Sequence, residues 1–197
     1  MVKKHKILFS AHRDTVMPHY RLEYKSGKMI GLLDNSIGQL VVNSVIISEP
    51  NVSALEKADR IKVFFGQGEE WGLLYGHPTM EKNDIVVVVD VACGDQYKGL
   101  DFSLENISGF TKKEITDIRE HLEWENFSIK TKMFDGNPDD EDEAWSWKNR
   151  GHRVISFIIP IEAGHKDTGW HVDNCSIEIE KIRKAIHGLT RLTNILL

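Results

Sequence analysis

Four short apolar runs rich in β-branched residues constrain this chain most: Ile7 to Phe9, Ile61 to Phe65, Ile85 to Val89 and Val154 to Ile161. Runs of this length suit strands buried on both faces, as in a mostly parallel sheet covered by helices. Helical patterns fall between them. Asn35 to Ile47 carries Ile37, Leu40, Val41, Ser44 and Val45 at helical spacing, and Thr111 to Trp124 opens with Thr111 and Glu114 as a capping box. A last helix is expected from about Ser176 to Leu196, with Ile179, Ile182, Ile186, Leu189 and Leu192 as its inner stripe. Tyr97 to Asn149 is less regular and reads as a mixture of helices, a short strand and loops. The alternation predicts an α/β protein, a three-layer α/β/α sandwich with a mostly parallel central sheet. With 197 residues, 41% of them hydrophobic, residues 1–197 are expected to form one domain around one core.

Composition excludes some partners. A net charge of -5 gives no basic surface for a polyanion, so nucleic acid is not expected. No stretch reaches the roughly 20 apolar residues of a spanning helix, and Ile7 to Phe9 is too short for a signal peptide, so no membrane partner is expected. Cys93 and Cys175 lack metal-type spacing and read as free thiols in a reducing compartment, which makes the cytoplasm the expected location.

Each apolar run is followed by residues that can do chemistry. The first leads into Ser10-Ala11-His12-Arg13-Asp14, and the second through Gly66-Gln67-Gly68 into Glu69-Glu70. The third ends on Asp90, and the fourth is followed by His165 and His171. Ligands in open α/β sheets bind beyond the carboxyl ends of the strands, so these groups are expected at one edge. Asp34, after Gly31-Leu32-Leu33, adds another acid, although alone it reads as a helix N-cap. Adjacent glutamates are more often exposed than catalytic, and a His-x-Asp pair alone is weak. Asp90 at the end of so apolar a strand is harder to dismiss, because a buried carboxylate needs a partner or a cation. Imidazole and carboxylate without thiolate suit zinc, cobalt or manganese, with positions left for water. A pair of such ions needs a carboxylate that bridges them, and a further carboxylate to move the proton.

Other features have plainer readings. A phosphate loop at Gly66-Gln67-Gly68 is rejected because Glu69 and Glu70 would repel an anion. Asp139 to Glu143 reads as a solvated helix entry, with a grip on a substrate amine as the minor alternative. Trp145 and Trp147 read as packing residues, and Arg13 is expected to point away from the site.

In order, these segments resemble the co-catalytic di-zinc exopeptidases, the clan of zinc aminopeptidases, carboxypeptidases and deacylases. Ser10 to Val16 is similar to the first ligand segment, Gly31 to Gly38 to the bridging-aspartate segment, Gly68 to Gly72 to the glutamate pair and Val88 to Val91 to the strand-end aspartate. The resemblance implies that His12, Asp34 and Asp90 hold one metal, and that Asp34 bridges to a second held by Glu70 and His171. It makes Glu69 the general base and acid, and Asp14 the partner of the far nitrogen of His12. His171 is preferred to His165, and to the more distant His77 and His152, because His171-Val172-Asp173-Asn174 resembles the clan's His-x-x-Asn segment. Cys175 departs from the glutamate that often follows.

His12 and Asp34 stand too close in sequence for an inserted domain, so the resemblance implies a lidless catalytic domain binding two divalent ions, zinc first. The expected activity is an aminopeptidase acting on a small peptide. The alternatives are a deacylase or carboxypeptidase on an acyl-amino acid, and an inactive metal-binding member. A homo-oligomer could supply a missing pocket wall.

Overall fold

The computed structural model describes residues 5–13, 22–67, 76, 78–134, 143–163 and 175–197. Six strands form the main sheet: β1 (Ile7–His12), β4 (Ile61–Gly66), β5 (Ile85–Ala92), β6 (Phe102–Ser108), β7 (Ile129–Met133) and β8 (Arg153–Pro160). Their order is β4-β1-β5-β8-β6-β7. The four predicted apolar runs become the four neighbouring strands β4, β1, β5 and β8, all parallel. Their carboxyl ends therefore share one edge. β6 runs antiparallel to β8 and parallel to β7, with a register shift between Leu104 and Ile107 where Asn106 adopts a φ of 47°.

Helices cover both faces, which gives the three-layer sandwich expected of the sequence. One face packs against α1 (Asp34–Ser48), α2 (Pro50–Lys57), α3 (Lys112–Trp124) and α5 (Ile179–Leu196). Ile7, Phe9, Val87, Val89, Phe102, Phe157, Ile37, Val41, Ile118 and Leu189 meet in that core. Phe102 stacks on Phe157 at 4.5 Å between centroids, and α5 approaches so closely at Gly188 that a Cβ there would stand 2.3 Å from the Phe102 ring. On the other face Leu8, Val86, Val88 and Val154 pack beneath Ala144 and Trp147 of α4 (Glu143–Asn149).

A local signal explains the start of α3. Thr111 Oγ1 accepts from the Glu114 amide while the Glu114 carboxylate accepts from the Thr111 amide, the capping box read from the sequence. The last helix departs from expectation. Cys175–Glu178 is a strand, β9, and α5 starts at Ile179. Cys175 and Ile177 are buried while Glu178 is exposed, a two-residue alternation just before the helical stripe that opens at Ile179. β9 completes a small antiparallel sheet with β2 (Leu22–Lys25) and β3 (Lys28–Gly31), pairing Gly31 with Cys175. Among the described residues no helix is long and apolar enough to cross a membrane.

Candidate metal centre

The site is built where β1 and β5 end. Ile7 and Phe9 face the large core, so alternation puts Leu8, Ser10 and His12 on the α4 face. His12 closes β1 opposite Gly66, and the Arg13 amide then donates to the Gly66 carbonyl at 2.9 Å. β1 pairs with β5 as far as Ser10 opposite Val88; continuing that register by two residues places His12 beside Asp90. Asp90 follows five buried residues, Ile85 to Val89, and accepts a 2.7 Å hydrogen bond from the Val91 amide. Arg13 is exposed, as expected.

Asp34 arrives from a helix. Leu33 is the N-cap and offers no side-chain hydrogen bond, so Asp34 occupies the first turn of α1 rather than the cap. A carboxylate there is favoured by the helix dipole. Gly38 sets the approach, since a Cβ on it would lie 2.4 Å from the Val89 carbonyl oxygen. The missing side chain lets α1 lie against β5 one residue before Asp90. Gln39 strengthens the junction by donating from Nε2 to the His12 carbonyl at 3.2 Å.

His12 Nε2 stands 3.5 Å from Asp90 Oδ1 and 3.8 Å from Asp34 Oδ1, and one ligand atom from each residue lies within 4.8 Å of the others. His12 and Asp34 are buried. A direct nitrogen–oxygen hydrogen bond closes to about 2.7–3.2 Å. Two ligands at about 2.0–2.1 Å around a tetrahedral zinc stand roughly 3.3 Å apart. The observed spacings resemble the second case. One imidazole with two carboxylates, withdrawn from water, is a donor set that suits a divalent cation.

Asp14, Glu69, Glu70 and His171 lie outside the described residues, as do His165 and His77. β4, which leads toward the glutamate pair, ends beside His12 at Gly66. His152 precedes β8 and so lies at the opposite edge of the sheet, against the Trp147 ring.

No family model and no curated protein sequence matches the chain. Solved structures do. PhTET1-12s, described as a dodecamer, has a TM-score of 0.57 at 13% identity, covering 88% of this chain and 53% of that one. A TET aminopeptidase from a marine-sediment Thaumarchaeota archaeon gives 0.58 at 14%, over 88% and 51%. An M18-family aminopeptidase from Thermotoga maritima gives 0.56 at 12%, over 84% and 46%. The chain carries the aminopeptidase fold. It spans about half the length of these solved structures.

Within this aminopeptidase fold the structure also shows a group that sequence reasoning misplaced. Glu143 is not part of a solvated helix entry: it is buried, only 3% exposed. Its Oε1 accepts from Ser10 Oγ and from Trp147 Nε1, the latter at 3.3 Å, and the same indole also donates to Ser10 Oγ at 3.2 Å. Burial pushes the carboxyl up to about 7, against the pull of the Ser10 and Trp147 hydrogen bonds and of His12, and with a further push from Asp90. A sequence signal existed, because Glu143 and Trp147 are four residues apart and share a helix face. Trp147 is fully buried, in keeping with its reading as a packing residue. Cys93 and Cys175 form no disulfide among the described residues; burial and the neighbouring Cys175 raise the Cys93 thiol.

Proposed function

We propose that this chain is a metal-dependent hydrolase that cleaves an amide bond with two bridged zinc-type ions, releasing an N-terminal amino acid from a small peptide. The convergence of His12, Asp34 and Asp90 within ligand range at the carboxyl edge of the sheet carries this reading. The likeness to aminopeptidase structures supports it at the level of fold.

In this reading residues 1–197 act as one catalytic domain. His12, Asp34 and Asp90 would hold the first ion, and Asp34, Glu70 and His171 would hold the second. Bound ions supply Lewis acidity toward the carbonyl and lower the pKa of water. The chain does the rest. Glu69 takes a proton from the attacking water and delivers it to the leaving amine. Asp14 fixes the far nitrogen of His12, which keeps Nε2 available for the metal. Association of copies would narrow access to the site, and light scattering tests that.

Elemental analysis of protein purified with added zinc should find about two ions per chain; one or none removes the paired site. Glu69→Gln should keep its metal and lose turnover of aminoacyl substrates, and unchanged turnover removes Glu69 from the mechanism. Cleavage of free-amine but not N-acylated substrates is the expected selectivity. The reverse makes the enzyme a deacylase or carboxypeptidase, and metal uptake without any turnover makes it a binding protein.

A further inference from the structure

Glu143 poses a question that packing does not answer. Its hydrogen bonds from Ser10 and Trp147 both end on Oε1, and a glutamine would accept them equally through its amide oxygen. The amide would also avoid the penalty of placing an ionisable group in a site only 3% exposed. The second oxygen, Oε2, is buried and has no hydrogen-bond partner among the described residues. What an acid offers and an amide lacks is a negative charge.

The surroundings say where that charge would act. Ser10, which holds Glu143, is two residues before His12 on the same face of β1, and the charged groups acting on Glu143 include His12 and Asp90. It is not among the residues whose ligand atoms converge. Glu143 therefore sits behind the cradle, one step down the sheet from its ligands.

We propose that Glu143 is a positioning residue of the metal centre, a third carboxylate set behind His12 and Asp90 whose charge strengthens cation binding without ligating. The inference rests on the metal-centre reading of His12, Asp34 and Asp90. Charges separated by low-dielectric protein interact more strongly than across water, so a fixed carboxylate near a dication contributes from outside its coordination sphere. Ser10 and Trp147 both donate to its Oε1.

Zinc alone, titrated into metal-free full-length protein at pH 8 and followed by competition with a fluorescent chelator, tests this. Glu143→Gln should bind the first zinc about tenfold more weakly, a fold-change of about 1.4 kcal/mol, with an unfolding temperature equal to or above that of the metal-free wild type. Glu143→Asp retains the charge and should stay within about threefold of wild type. Ser10→Ala, which leaves the carboxylate in place, should do the same.

Equal zinc affinity of Glu143→Gln and wild type overturns the proposal. So does an Asp variant as weak as the Gln variant, or a tenfold loss in Ser10→Ala, because either assigns the effect to packing; if Glu143→Gln does not fold, the uncharged Glu143→Met of similar length takes its place with the same expected loss. Wild-type protein that takes up no zinc overturns the metal centre itself, which keeps the two failures distinct.

Discussion

The two faces of the central sheet are built on different terms. One is covered by α1, α2, α3 and α5 and packed almost wholly with aliphatic and aromatic side chains, Phe9, Phe102, Phe157, Val41 and Leu189 among them. The other carries, among the described residues, the short helix α4 over a smaller cluster, and there Ser10, Glu143 and Trp147 bring a polar network into the interior. His12 and Asp90 project on this second face. The first face earns stability from area removed from water, while the second holds groups whose burial opposes folding. Among the described residues, the proposed ligands His12 and Asp90 stand on the face with the smaller apolar cluster.

Substitutions can break that contrast, and the largest effect is expected on the thick face. Phe102→Ala removes a ring stacked on Phe157 and pressed against Gly188, and should destabilise by about 3–5 kcal/mol in urea unfolding. A loss below about 1 kcal/mol would mean that this face is not the stabilising one.

On the thin face the sign reverses. Glu143 has a folded-state value of about 7, above its ordinary 4.5. Its contribution to stability is fully present below pH 4.5 and is lost as pH rises through 7, because the unfolded chain gives up the proton first. Glu143→Gln should abolish that decline, leaving metal-free protein more stable than wild type at pH 8 by about 3 kcal/mol. Parallel stability–pH curves from pH 4 to 8 would show that Glu143 does not titrate as described.

Gly38→Ala sharpens the comparison at the junction of the two faces. Its methyl meets the Val89 carbonyl, so it should cost about 1–3 kcal/mol and also weaken zinc binding by displacing Asp34. Lost stability with unchanged zinc affinity would uncouple the position of α1 from the site. Smallest is Thr111→Ala, which removes the α3 cap at the far rim and should cost about 1 kcal/mol, with no change in zinc affinity.

Much of this organisation is legible in the sequence, for particular reasons. Ile85 to Val89 is buried on both sides, and only a central strand tolerates such a run, so its position and the acid that ends it were readable together. The same holds for His12 and for the capping box at Thr111 and Glu114. The small sheet was not readable. Leu22–Lys25 is exposed throughout and Lys28–Gly31 pairs with residues beyond the main fold, so no apolar period marks either strand. Most of β9 was absorbed into the expected helix because the helical stripe that opens at Ile179 follows it directly, with no turn residue between them. β6 runs against its neighbour β8, and direction leaves no trace in composition. Glu143 was misread because an acid beside other acids looks solvated, whereas its fate was decided by partners on β1 more than a hundred positions away.

The pairing of Gly31 with Cys175 has a temporal consequence. Asp34 follows one of these residues by three positions, and Cys175 opens the segment that leads into α5. While the chain is being made, Gly31 and Asp34 are added well before Cys175, because synthesis runs from the N-terminus. During that interval the hairpin before Asp34 lacks its third strand. A chain halted before residue 175 would therefore carry β2 and β3 without the strand that pairs with Gly31.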